Sequence, residues 1–177
     1  GYRVVKQVQG VGSGFDIAAA TYGRTIYFVT GGKVIEPLSV KNLSLIIGYS
    51  GTKADTTSVV NNLKLRIKNS ELKYTKIFEI IKKIVEKAKI ALVNGDWKTT
   101  GELMNQNHKL LQKLGVSTVK LDKMCQTAVS SGAYGAKLSG AGGGDCMIAL
   151  VPENKIKKVE SAIINVGGEI INAKNNI

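Results

Sequence analysis

The chain has 177 residues, 44% of them hydrophobic, and a formal net charge of +12. That apolar content supports a real core and excludes wholesale disorder, while the length suits one domain or part of a two-domain enzyme. No apolar run approaches the roughly 20 residues of a membrane-spanning helix, and no signal peptide is visible. Cys125 and Cys146 stand too far apart for a metal pattern or a disulfide framework, so a reducing, cytoplasmic setting is expected.

The chain starts at Gly1 without a methionine, and Tyr2 to Val8 reads as a strand already under way, so a segment upstream is expected. Ser13 followed by Asp16, ahead of Ile-Ala-Ala-Ala, is a capping-box pattern for a short helix that Gly23 would close. Helix N-termini also bind anions, so the same residues admit a ligand-binding reading. Thr25 to Thr30 is β-branched and aromatic, and Gly31-Gly32 turns it into a hairpin with Lys33 to Glu36. Pro37 to Asn42 is the expected domain boundary, dividing residues 1–40 from 41–177. Leu43 to Ile47 follows as a short strand. A second capping pattern, Thr52 to Asp55, places a helix start there.

Ile77 to Leu92 repeats apolar residues at helical spacing with lysines between them. Between Lys64 and Lys89 stand nine Lys or Arg against three Glu. A solvated helix face accounts for most of these, and a basic field also draws in polyanionic small molecules. Nucleic acid is disfavoured, because aromatic residues are only 6% and do not interleave with the charges. Gly95-Asp96-Trp97 is a break with Trp97 as packing anchor, and Thr100 to Leu114 makes the next helix. His108, the only histidine, has no metal-ligating companions in its neighbourhood of sequence and is read as structural. Thr118 to Ser131 forms a third helix, Cys146 to Val151 a buried strand, Glu153 to Val166 a further helix and Gly168 to Asn172 a last strand. From Leu43 this order is α+β with an antiparallel sheet.

Between the third helix and the buried strand runs Ala136-Lys-Leu-Ser-Gly-Ala-Gly-Gly-Gly-Asp-Cys146. A hairpin needs only a glycine or two. Four in five residues suit a loop whose exposed amides form a nest for a phosphate oxyanion. The stretch resembles the third motif of the GHMP kinases, a family of ATP-dependent small-molecule kinases. Gly12-Ser-Gly-Phe-Asp16 with Ala18-Ala19-Ala20 and Tyr22-Gly23 is similar to the family's substrate-proximal segment, and Gly48-Tyr-Ser-Gly to a turn bordering its cleft.

The resemblance implies the end of a GHMP-kinase N-terminal domain, then a ferredoxin-like C-terminal domain. It implies Asp16 as the acidic residue at the reaction centre, and substrate contacts at Ser13, Gly14, Tyr22, Arg24, Ser50, Thr52 and Lys53. ATP phosphates would meet Lys137, Ser139, Gly140, Ala141, Gly142, Gly143, Gly144 and Asp145. Lys137 reads equally as a strand-end lysine. ATP and Mg2+ are the implied cofactors, with no metal ligand in this chain. The family's ATP loop, Pro-x-x-x-Gly-Leu-Gly-Ser-Ser-Ala, is missing. A missing N-terminal half of the same enzyme is therefore the expected partner, and a homodimer is left open. Asp145 and the form of the Asp16 segment are nearer phosphomevalonate kinases than mevalonate kinases, so a phosphorylated acceptor is expected. Such an acceptor is already ionised, so Asp16 would orient it rather than remove a proton. Leu114-Gly-Val-Ser-Thr118 speaks for mevalonate kinases instead.

Overall fold

The computed structural model describes residues 12–172 together with Gln7, which is helical. The rest of the strand expected over Tyr2–Val8 lies outside the described residues. Helix α1 (Phe15–Tyr22) ends as its sequence indicates, at Gly23 in the left-handed conformation with its N–H donating to the Ala19 carbonyl. Its start differs from expectation. Gly14, at φ 87°, takes the N-cap position and no side chain caps the helix. Ser13 is therefore one residue too early to cap, so the capping box with Asp16 does not form.

Strands β1 (Ile26–Val29) and β2 (Val34–Pro37) make the expected antiparallel hairpin, joined through a 3-10 turn at Thr30–Gly32. Three contacts fasten it to helix α3 (Glu71–Val93). The Tyr27 hydroxyl donates to Glu86 at 2.6 Å, Lys89 pairs with Glu36 at 2.6 Å, and the Lys89 ammonium lies 4.7 Å from the Tyr27 ring centroid.

The remaining elements are β3 (Leu45–Tyr49), α2 (Thr56–Asn69), α3, α4 (Trp97–Leu114), α5 (Val119–Ser130), β4 (Gly135–Ser139), β5 (Cys146–Leu150), α6 (Ile156–Asn165) and β6 (Glu169–Ile171). They build one antiparallel sheet in the order β4-β5-β3-β6. That is the ferredoxin-like order, and the α+β expectation holds. Leu121, Met124 and Ala128 of α5, Val159 and Ile163 of α6, and Met147 and Ala149 of β5 are fully buried. Burial of this kind contributes about 25 cal/mol for each Å² of apolar surface removed from water.

Aspartates set two helix starts. Helix α2 begins after Asp55, not at Thr52, because the Asp55 carboxylate accepts both the N–H (3.1 Å) and the hydroxyl (2.6 Å) of Ser58. Helix α4 begins ahead of Thr100, at Trp97, because Asp96 accepts the Thr99 N–H at 3.0 Å.

Strand β4 was not expected. Its sequence, Gly-Ala-Lys-Leu-Ser, has no β-branched or aromatic residue. Helix α4 holds it from outside. A Cβ on Gly101 would collide with the Tyr134 backbone, and one on Gly135 with the Gly101 carbonyl, so helix and strand meet backbone to backbone. At that spacing Asn105 and His108 reach the strand edge. The Ala136 N–H donates to Asn105 Oδ1 at 2.9 Å, and the Leu138 N–H to His108 Nδ1 at 3.3 Å. Side chains on α4 thus occupy donors that an edge strand would otherwise leave open.

Candidate functional site

The turn between β4 and β5 is built almost wholly from left-handed backbone. Gly140, Gly142, Gly143 and Gly144 have φ of 83°, 85°, 77° and 148°, and Asp145, without glycine's freedom, has φ 55°. The surroundings of these residues differ. A Cβ on Gly140 would meet nothing within 4 Å, whereas one on Gly142 would strike the Val116 carbonyl and one on Gly144 would come 2.6 Å from the Thr52 carbonyl. Gly140 therefore opens outward, while Gly142 and Gly144 are buried against the protein.

Two walls hold the loop. On one side the Gly143 N–H donates to the Val116 carbonyl at 2.8 Å, in the connection between α4 and α5. On the other, Asp145 is stitched to the turn after β3. Its N–H donates to the Thr52 carbonyl (2.8 Å), its carbonyl accepts the Ser50 N–H (2.8 Å), and Oδ1 accepts the Ala54 N–H (3.1 Å). These bonds hold Asp145 in its uncommon conformation. Among the described residues, the N–H groups of Gly140, Ala141, Gly142 and Gly144 donate to no protein acceptor. Unpartnered amides in consecutive left-handed turns are a concave donor set for an anion. The N-terminal turn of α2 lies beside it, since Gly143 approaches Val59, and that dipole end favours negative charge.

The expected phosphate-binding residues fall into two sets. Ser139 and Gly140 to Gly144 lie at or in this loop. Lys137 and Asp145 are turned to internal partners, the Lys137 ammonium donating to the Leu138 carbonyl at 2.7 Å and the Asp145 carboxylate accepting from Ala54. Burial holds the Lys137 amine below its usual value. Of the expected substrate contacts, Ser50 is buried and braces the turn after β3, its hydroxyl donating to the Thr52 carbonyl at 3.3 Å. Thr52 and Lys53 are exposed beside it. Ser13, Gly14 and Tyr22 come together in a cavity of about 230 Å³ between α1 and the β1–β2 hairpin, closed by Ile17, Phe28 and Ile35. Asp16, in the first turn of α1, and Arg24 are exposed and do not line it. Among the described residues, no hydrogen bond or ion pair joins residues 13–24 to the glycine loop.

The sequence pattern did not reveal the polar cluster behind the loop. His108 is buried, and its Nε2 lies 3.1 Å from Asp122 Oδ1, which also accepts the Ser117 hydroxyl. Desolvation lowers the His108 pKa, against the opposing pull of Asp122. Cys125, alongside, is pushed up to about 12, by burial first and Asp122 second. Among the described residues, no three His, Cys, Asp or Glu side chains converge on a metal-sized space. Among them too, no helix is long and apolar enough to cross a membrane.

Residues 88–168 match the family model described as GHMP kinases C terminal. That stretch of the chain is similar to the C-terminal domain of the GHMP kinases. Over 173 residues it is 39% identical to a mevalonate kinase of Pyrococcus horikoshii, covering 95% of this chain and 51% of that protein. The solved mevalonate kinase of L. major, in complex with R-mevalonate, superposes with a TM-score of 0.82 at 31% identity over 88% of this chain and 49% of that one. A Streptococcus pneumoniae phosphomevalonate kinase superposes at 0.79 over 90% of this chain and 54% of that one, but at 20% identity the likeness is of fold alone. The likeness to the GHMP domain is thus as expected, while the expected nearness to phosphomevalonate kinases is corrected: the sequence likeness runs to mevalonate kinases. The chain spans about half the length of the curated relatives it matches.

Asp145 shows why its residue type misled. Its side chain serves the loop's own geometry, so the residue carries little information about the acceptor.

Proposed function

We propose that this chain supplies the C-terminal half of an ATP-dependent kinase that phosphorylates mevalonate, an early step toward isoprenoids. Residues 1–40 would complete an N-terminal domain, and residues 41–177 would form the C-terminal one. The observation that carries the reading is the 39% identity to a mevalonate kinase over 95% of the chain. The unpartnered amides of Gly140, Ala141, Gly142 and Gly144 would receive phosphate oxygens of the nucleotide, supplying fixed donors where charge develops. The acceptor is then an alcohol, which gains from a general base. Asp16 is the carboxylate proposed for that task, with Ser13, Gly14, Tyr22 and Arg24 around the substrate.

The test uses the full-length enzyme with ATP and either mevalonate or phosphomevalonate, following ADP release. Turnover with mevalonate alone is expected, and Asp16→Asn should reduce kcat by about 100-fold or more with little change in melting temperature. Turnover with phosphomevalonate alone would refute the acceptor and return Asp16 to an orienting role.

A further inference from the structure

Behind the glycine loop a run of polar contacts crosses the domain from the sheet edge to the loop's own anchor. It begins at β4, where the Leu138 N–H donates to His108 Nδ1 at 3.3 Å. With Nδ1 accepting, the ring proton belongs on Nε2, which faces Asp122 Oδ1 at 3.1 Å. The approach is off the line of a good hydrogen bond, so the contact is chiefly electrostatic. The same Asp122 oxygen accepts the Ser117 hydroxyl. Ser117 follows Val116, whose carbonyl takes the Gly143 N–H at 2.8 Å and against which Gly142 is pressed.

The far side of this connection is also fixed. Arg66 of α2 donates through Nη1 to the carbonyls of Leu114 and Gly115, each at 3.0 Å. Position 115 is left-handed, at φ 70°. Between Arg66 on one side and Asp122 on the other, residues 114–117 form a rigid shelf for the loop.

We propose that His108 is a positioning residue for the glycine loop: through Asp122 and Ser117 it fixes the Val116 carbonyl from which Gly143 hangs. The geometry supports this over a purely edge-sealing role. Asn105 already occupies the Ala136 amide of the same edge with no polar contact to Asp122, whereas among the described residues His108 is the side chain whose polar contacts run from strand β4 to Asp122 and so to the shelf. The consequence for nucleotide binding rests on the proposed phosphate-binding role of the loop. A loop that is ordered beforehand pays less on binding, so loosening the shelf weakens nucleotide binding more than it slows the chemical step.

The experiment uses the full-length enzyme and the variants His108→Gln and Ser117→Ala. Ser117→Ala deletes only the last link and spares the buried ring, so it reports even where His108→Gln folds poorly. Amide hydrogen exchange at Gly143, whose N–H is bonded to the Val116 carbonyl, is read without nucleotide or acceptor, and KM for ATP and kcat separately. Faster loop exchange in both variants is expected, with KM for ATP raised about 3- to 10-fold and kcat changed less than about 2-fold. Unchanged loop exchange in Ser117→Ala would overturn the proposal, even with a lowered melting temperature. Faster exchange with KM for ATP unmoved would uphold the positioning role and refute the phosphate-binding role of the loop.

Discussion

Replacing Gly140 and Gly142 separately by alanine separates the loop's outward role from its inward one. Both residues have nearly the same left-handed φ, 83° and 85°, so both variants carry the same backbone penalty, about 1–2 kcal/mol. For Gly140→Ala nothing is added, because the new methyl enters open space. In a chain of this size that corresponds to a fall in melting temperature of about 2–8 °C. For Gly142→Ala the methyl strikes the Val116 carbonyl, a backbone atom fixed by the Gly143 N–H. Overpacking of this kind costs about 1–3 kcal/mol more, for a total of about 2–5 kcal/mol. Function should run the other way per unit of stability lost. On the proposed phosphate-binding role the Gly140 methyl would sit where a phosphate approaches, so KM for ATP should rise well before the fold suffers. Calorimetric melting gives the first quantity and steady-state kinetics of the full-length enzyme the second. Equal stability losses in the two variants would refute the packing argument, and an unchanged KM in Gly140→Ala would refute the outward-facing one.

Arg66→Ala removes the guanidinium from the last carbonyls of α4, and a loss of about 1–2 kcal/mol in urea denaturation is expected; no loss would mean that Gly115 alone ends the helix. Cys125, with its thiol pushed up to about 12, should stay unlabelled by a thiol reagent at neutral pH until the chain is denatured. Half-buried Cys146 should label first, and reversal of that order would contradict the packing of α5. His108 makes stability depend on pH. Burial lowers its folded pKa below 6.5, Lys137 adds to the lowering and Asp122 opposes it. The unfolded chain therefore takes up the proton first. The contribution is complete above about pH 6.5 and lost as pH falls from there toward the folded pKa. Denaturation midpoints from pH 7.5 to 5.5 should fall more steeply for the native chain than for His108→Gln, and parallel curves would exclude His108 as the source.

Much of the fold is legible because it depends on local rules. The apolar spacing of Ile77 to Leu92 gave a helix that runs longer, as Glu71–Val93, and the β-branched run before Gly31-Gly32 gave the hairpin. Caps were less legible, since two candidates compete within a few residues. Ser13 lost to Gly14 and Thr52 lost to Asp55, in each case because the later residue holds the geometry at the helix start. Strand β4 was illegible for a stronger reason. Its residues have no β preference, and what holds them extended is pairing with β5 on one side and, on the other, Asn105 and His108 on a helix some thirty residues earlier.

The same limit shaped the reading of the site. A cluster of glycines announces left-handed backbone, but not whether each glycine is needed for a ligand's approach or for the protein's own. Here Gly142 and Gly144 serve the protein, Gly140 faces outward, and Asp145 repeats the division by adopting φ 55° while giving its carboxylate to Ala54. An aspartate needed for loop geometry can persist whatever the acceptor, which is why one residue could not choose between alcohol and phosphate. The discriminating information is spread over the whole chain, where the likeness to mevalonate kinases accumulates. A loop so braced on two sides has little room to adapt to its ligand. On the proposed phosphate-binding role, its affinity would come from amides already in place, and the groups that keep them there, His108 among them, would serve the binding site without touching what is bound.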